Sequence, residues 1–175
     1  MDFEPSHPDL EVAKLSSYAD LKRFSCGDGD LDGFLKEDAI TYQEKALVTT
    51  YLCLSEGEPV GFFSLCMDAI KLDDKEKAAA FGKDKPHMDF PALKLARLGV
   101  AKAAQHSGIG SFMVKYALGK AMVLSKQVGC RFVTVDAYPE ENVVKFYERL
   151  GFVKNSKDKS GRNTSMRLDL LTMTS

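Results

Sequence analysis

The chain has 175 residues, 45% of them hydrophobic, and a net charge of −1 at pH 7. That length suits one domain with a sizeable core, and the near-neutral balance gives by itself no reason to invoke nucleic acid. No apolar run approaches the length of a membrane span or the form of a secretory leader, so the expected protein is soluble and cytoplasmic.

In chain order, Glu11 to Leu15 reads as a first strand. Asp28 and Asp30 are N-cap candidates for a helix that sets Leu31, Phe34, Leu35, Ala39 and Tyr42 on one face. Thr49 to Leu54 and Val60 to Met67 are rich in β-forming residues and are separated by Ser-Glu-Gly-Glu-Pro, which predicts a hairpin. Lys71 to Pro91 is polar and holds two prolines, the pattern of a surface insertion with a short helix around Lys75 to Phe81. From Ile109, the recurrence of Phe112, Met113, Tyr116, Ala117, Ala121 and Leu124 predicts a helix that ends before Gly129.

Arg131 to Ala137 reads as a strand, and a second helix begins after Pro139 with Val143, Phe146, Tyr147 and Leu150 as its apolar face. Gly151-Phe152 has the form of a helix stop with a packing contact. Lys157 to Asn163 is a charged loop, after which Met166, Leu168 and Leu170 alternate with Arg167 and Asp169 as a closing strand. With no internal repeat and no low-complexity linker, a single domain over residues 1–175 is expected.

Cys26, Cys53, Cys66 and Cys130 lack C-x-x-C spacing and lie in or beside apolar segments, so neither a disulfide nor zinc is expected. His7, His87 and His106 are too dispersed to suggest a metal cluster. The stretch from Leu95 to Gly110 carries more information: a strand-like segment, a connector, then a glycine-rich turn entering the helix at Ile109. Gly108 and Gly110 remove side chains where a backbone must approach a ligand closely, and a helix start offers unpaired N–H groups to an anion. The plain alternative is a tight strand-to-helix turn with nothing bound. The segment ends in no Gly-Lys-Ser/Thr and lacks the three-glycine dinucleotide spacing, so a different phosphate-bearing cofactor is required.

Charge is unevenly distributed. Residues 1–90 hold 10 Lys and Arg against 19 Asp and Glu, a balance of −9, and residues 91–175 hold 14 against 6, a balance of +8. Part of the basic surplus can serve cofactor phosphates, and Lys154, Lys157, Lys159, Arg162 and Arg167 exceed that need. They form either an ordinary solvated face or a surface for a polyanionic acceptor.

Gln105-His106-Ser107-Gly108-Ile109-Gly110, the strand ending at Ala137, Asn142, and Phe146-Tyr147-Glu148-Arg149-Leu150-Gly151-Phe152 together resemble the GNAT family of acetyl-coenzyme A dependent N-acetyltransferases. The resemblance implies an α/β (α+β) fold, a mixed, mostly antiparallel sheet of six to seven strands with helices on both faces and a gap between two central parallel strands. It implies acetyl-CoA as cofactor. The pantetheine arm would pair with backbone groups of the strand carrying Leu98, Gly99 and Val100, and Gln105, His106, Ser107, Gly108, Ile109, Gly110 and Ser111 would wrap the pyrophosphate. Asn142 matches the position that often holds the pantetheine, and Tyr147 matches the tyrosine that commonly protonates the departing thiolate. Tyr147 equally suits a core position, and a tyrosine can do both by burying its ring and leaving its hydroxyl a partner.

Phe24-Ser-Cys-Gly27, Asp30-Leu31-Asp32 with Phe34-Leu35 and Ala39, and Pro91-Ala-Leu resemble the GNAT branch that includes toxin acetyltransferases of toxin-antitoxin pairs. That likeness implies the α-amine of aminoacyl-tRNA as acceptor and a ribbon-helix-helix antitoxin as partner; a second copy of the chain is a further candidate partner. His106-Ser107 departs from the branch, whose pyrophosphate turn carries basic residues.

The chemistry expected is direct attack of a neutral amine on the thioester in a ternary complex. Asp136, Tyr138 and Arg97 are candidates for the acceptor side, and the base is either Asp136 or a water chain. An α-amine, with a pKa nearer 8 than that of lysine, needs less help from a base. Other acceptors are a small molecule or a protein N-terminus. Two non-enzymatic readings are an acetyl-CoA sensor without turnover and an interaction protein whose glycine turn is only structural.

Overall fold

The computed structural model describes residues 9–84, 89–156 and 161–173, so His7, His87, Lys157 and Lys159 lie outside the described residues. Seven strands, β1 (Leu10–Lys14), β2 (Thr49–Ser55), β3 (Glu58–Ile70), β4 (Phe90–Val100), β5 (Phe132–Ala137), β6 (Val153–Lys154) and β7 (Thr164–Asp169), follow the order β1-β2-β3-β4-β5-β7-β6. Between them come α1 (Gly29–Gly33), a π turn (Phe34–Asp38) and α2 (Ala39–Glu44), then α3 (Asp74–Phe81), α4 (Ile109–Ser125) and α5 (Glu141–Arg149). The chain forms two compact units, Met1–Cys66 with Leu95–Gly119 and Met67–Lys94 with Lys120–Ser175; β3, β4 and α4 run through both.

In the first unit β1 pairs antiparallel with β2, and β2 with β3. The connection between β2 and β3 is tighter than the five-residue turn read from the sequence. Glu56 and Gly57 alone make it, at φ of 50° and 81°, the left-handed pair whose twist matches a hairpin. Pro59 then falls inside β3, where a register shift beside Cys53 and Leu54 accommodates it.

Of the two N-cap candidates, Asp28 takes the role, accepting from the N–H groups of Asp30 and Leu31 at 2.9 and 3.0 Å. The π turn that follows buries the adjacent Phe34 and Leu35 together with Ala39. Leu31 and Tyr42 stay partly exposed. Phe34 stacks on Phe62 at 6.3 Å, and Phe24 meets the same ring edge-on at 5.7 Å, with Leu15, Cys26 and Leu52 completing the cluster.

At the Val100 end of β4, Gly99 lies against Phe62: a Cβ there would stand 2.7 Å from Phe62 Cε1. Phe62 is fully buried and has no room to retreat. Gly99→Ala is therefore expected to cost about 1–3 kcal/mol by overpacking, read as a lower melting temperature. Opposite it, a Cβ on Gly61 would lie 3.2 Å from Gly99 O. At the other end of the pair Ile70 packs with Phe90, so β3 and β4 run antiparallel.

In the second unit β7 pairs antiparallel with both β5 and β6. β4 and β5 run in the same direction: Arg131 N donates to Pro91 O at 2.9 Å, and further along Lys94 Nζ meets Asp136 Oδ2 at 2.6 Å. The closing strand ends at Asp169, so Leu170, read from the sequence as its last inward residue, is buried in the following 3-10 turn instead.

The stretch from Lys71 to Pro91 is only partly the surface insertion its composition suggests. Its helix forms as expected, but Leu72 and Phe90 are core residues at 1% and 3% exposure, and β4 already begins at Phe90. Phe90 stacks on Phe81 at 4.8 Å and meets Phe132 edge-on at 6.2 Å. Apolar residues spaced among lysines and aspartates carried this packing, and averaging the stretch as polar hid them.

α3 opens on a reciprocal capping box, Glu76 N donating to Asp73 Oδ1 and Asp73 N to Glu76 Oε2, both at 2.8 Å. Glu76 also accepts from Ser156 N at 3.0 Å and from Arg167 Nη1 at 2.7 Å, so one carboxylate ties α3 to the β6–β7 hairpin. Burial by itself would raise its pKa; the N–H groups of Asp73 and Ser156, the Arg167 charge and the Ser156 hydroxyl outweigh it and hold the carboxyl below its ordinary value.

α5 ends in a Schellman motif, with Phe152 N donating to Tyr147 O and Gly151 N to Glu148 O. Gly151 holds φ of 93° there, a conformation that costs glycine nothing. On α4 the buried stripe is Ile109, Met113, Val114, Ala117, Leu118 and Ala121. Tyr116 is on the exposed side and Phe112 and Leu124 are half-buried, so the stripe is rotated from the one drawn through the aromatic residues. Cys26, Cys53, Cys66 and Cys130 are free thiols. Among the described residues no helix is long and apolar enough to cross a membrane.

Candidate active site

The glycine turn is built as an exposed backbone feature with its side chains turned to holding it. Gln105 Nε2 donates to Cys26 O at 2.8 Å and to Val100 O at 3.2 Å, and Ser107 Oγ donates to Ala104 O at 2.5 Å. Lys102 N reaches Ser25 O at 2.8 Å, and Ala101 N reaches Val60 O. Phe24-Ser-Cys-Gly27 therefore braces the turn. Its loop is closed in turn by Asp32, which accepts from Ser25 Oγ at 2.6 Å and Cys26 N at 2.8 Å. Asp32 therefore serves architecture, a role that its spacing in the sequence did not reveal.

The turn is exposed from Gln105 to Gly108. His106 and Gly108 both lie in the left-handed region, at φ of 63° and 88°. The first intrahelical bond runs from Phe112 N to Gly108 O, which leaves the N–H groups of Ile109, Gly110 and Ser111 without helical acceptors. These donors sit at the positive end of a 17-residue helix, beside an exposed loop. Such a turn fits a pyrophosphate without needing a basic side chain, which accounts for the presence of His106-Ser107. Leu98 and Val100, on the strand leading into it, are half-buried.

In the second unit Asn142 is exposed in the first turn of α5, and Tyr147 is buried on the same helix. Tyr147 is only 6% exposed, its ring edge-on to Phe146 at 5.0 Å and Phe152 at 5.5 Å. Burial pushes its phenol pKa well above the ordinary value of 10.0, so the hydroxyl stays protonated at any working pH. The core role and a proton-bearing role are therefore compatible at this position.

The candidates for the acceptor side differ in exposure and in the partners they hold. Asp136 is bound by Lys94 at 2.6 Å, a partner that the sequence did not announce. Next to it on β5, Thr134 Oγ1 donates to Asp68 Oδ2 at 2.6 Å. Tyr138 is 38% exposed beyond the end of β5. Arg97 is exposed, with its guanidinium carbon 4.3 Å from the centre of the Phe34 ring.

The surplus basic residues are not one uniform face. Arg167 is 13% exposed and bound to Glu76 and Asn155, so it is a structural cation. Arg131 likewise forms a two-point pair with Asp169, at 2.7 and 2.8 Å. Lys154, 3.6 Å from Glu148, and Arg162 remain at the surface.

Residues 47–154 match the model of the acetyltransferase (GNAT) domain. The tRNA-acetylating toxin of Mycobacterium tuberculosis is 25% identical over 128 residues, 73% of this chain and 75% of the relative. Among solved structures, AtaT complexed with acetyl-methionyl-tRNAfMet is similar in fold with a TM-score of 0.82, at 23% identity, covering 95% of this chain and 98% of that one. A mutant of the AtaT toxin bound to the C-terminus of the antitoxin AtaR and acetyl-CoA has a TM-score of 0.76, at 21% identity, covering 94% and 96%. The family model spans more than half of the chain, including β4, the glycine turn, α4 and α5. The chain belongs to the GNAT acetyltransferases.

Proposed function

We propose that this acetyltransferase moves the acetyl group of acetyl-CoA to the α-amine of an aminoacyl-tRNA, and that it does so as the toxin of a toxin-antitoxin pair. The observation that carries the reading is the likeness to a tRNA-acetylating toxin over three-quarters of both chains. The exposed turn of His106 and Gly108 supports it, because the main-chain donors of Ile109, Gly110 and Ser111 suit a pyrophosphate.

When bound, acetyl-CoA would supply an activated thioester. The chain's own groups do the rest. The main chain of Leu98, Gly99 and Val100 would orient the pantetheine, Asn142 would hold it, and a backbone N–H of β4 would polarise the carbonyl. Tyr147 keeps a proton on Oη for the leaving sulfur. Its raised pKa does not spoil the match, because a low-dielectric cleft raises the basicity of a thiolate in the same sense. Asp136 is already engaged by Lys94, which favours a water chain and an acceptor of low amine pKa. Tyr138 lines the acceptor side.

One domain over residues 1–175, a cytoplasmic location, and capture by a ribbon-helix-helix antitoxin complete the proposal. Incubation with labelled acetyl-CoA and either mixed aminoacyl-tRNAs or a panel of small amines and peptides is the test. Label is expected in the RNA fraction and is lost when the aminoacyl ester is hydrolysed. Label confined to peptides or small amines would move the protein to another acceptor class, and absence of free thiol with every amine would leave an acetyl-CoA sensor.

A further inference from the structure

Arg97 is the exposed cation of β4 that no ion pair or hydrogen bond engages among the described residues. Its guanidinium rests over Phe34, 4.3 Å from the ring centre. Phe34 cannot swing away: it is 5% exposed, stacked on Phe62 and held edge-on by Tyr42 at 5.8 Å. The π turn that buries Phe34 and Leu35 side by side is thus also what places a fixed ring beneath the arginine. The ring thus covers the guanidinium on one side, while the arginine side chain as a whole is exposed to solvent.

An exposed, unpaired guanidinium resting on a held ring offers a stacking surface, and RNA-binding proteins take splayed bases on arginine planes. Arg97 also immediately precedes Leu98 on the strand expected to orient the thioester, and an aminoacyl group carries its terminal nucleotide with it. We propose that the Arg97–Phe34 pair is a platform on which the 3′-terminal base of the aminoacylated RNA stacks, setting the α-amine for attack. This rests on the aminoacyl-tRNA reading above. The chemistry required is a flat π surface at the acceptor's end, which neither an ammonium nor a phosphate contact would supply.

The test uses the full chain and an aminoacylated RNA hairpin with a single-stranded 3′ end, intact or abasic at the terminal nucleotide. On the intact RNA, Arg97→Ala is expected to lower kcat/KM about ten- to a hundredfold, the range of one lost base stack. Arg97→Lys keeps the charge and a stem over Phe34, which guards against misfolding, yet is expected to lose nearly as much because the plane is gone. The abasic RNA should lose about as much with the parent protein, and Arg97→Ala should then add little, as coupled partners do. Full rescue by Arg97→Lys, with a shallower salt dependence in Arg97→Ala, would mean a phosphate contact and overturn the platform. Losses that multiply on the abasic RNA would overturn it too. If the parent protein acetylates amines but no aminoacylated RNA, the reading beneath the proposal fails with it.

Discussion

Replacing Tyr147 by phenylalanine is expected to lower kcat by about a hundred- to ten-thousandfold, the usual contribution of a positioned general acid, while the fold is retained. The ring is what packs against Phe146 and Phe152, and phenylalanine keeps it. Steady-state kinetics with thiol release as the signal, alongside a thermal melt, separate the two roles. An unchanged kcat in a well-folded variant would make Tyr147 a core residue only. The pH profile adds an independent check. Because burial raises the phenol pKa above 10.0, ionisation of Tyr147 should impose no loss of rate between neutrality and pH 10.

Glu76→Ala is expected to cost about 3 kcal/mol of stability, since it takes the carboxylate from the partly buried Arg167 and opens the capping box of α3. Few single substitutions in this chain should do more, because this carboxylate joins α3, Ser156 and β7 at once. The acid limb of stability carries the same signature. Folding lowers the Glu76 pKa below its ordinary value of 4.5, so the unfolded chain binds the extra proton. The stabilisation is fully present above about pH 4.5 and is lost as pH falls through the folded-state value. Chemical denaturation of the parent and of Glu76→Gln over pH 3–7 measures this. The variant should be less stable near neutrality and should show a weaker pH dependence below 4.5. Equal slopes would assign the acid sensitivity elsewhere.

Much of the candidate site was legible because its signals are local. A glycine turn before an amphipathic helix, and a helix stop at Gly151-Phe152, depend on neighbours in sequence and therefore survive in it. The misreadings arose where burial was decided by partners far along the chain. Phe90 and Leu72 looked like parts of a polar insertion until Phe81 and Phe132 packed on them. Periodicity runs the α4 stripe through Phe112 and Tyr116, yet the helix buries Val114 and Leu118. Arg167 was counted as a surface cation until Glu76, 91 residues away, took its charge.

By itself, the sequence determined the family motifs, most of the strands and helices, the glycine turn that opens α4 and the place of Tyr147 on the apolar side of α5. Tertiary structure alone decided which charges are spent and which are free. Lys94 neutralises Asp136, Asp169 takes Arg131, and Glu76 takes Arg167, while Arg97 is left lying on Phe34. The physical reason is range: backbone conformation answers to residues a few positions away, but a charge is paired with whichever opposite group folding brings within about 4 Å.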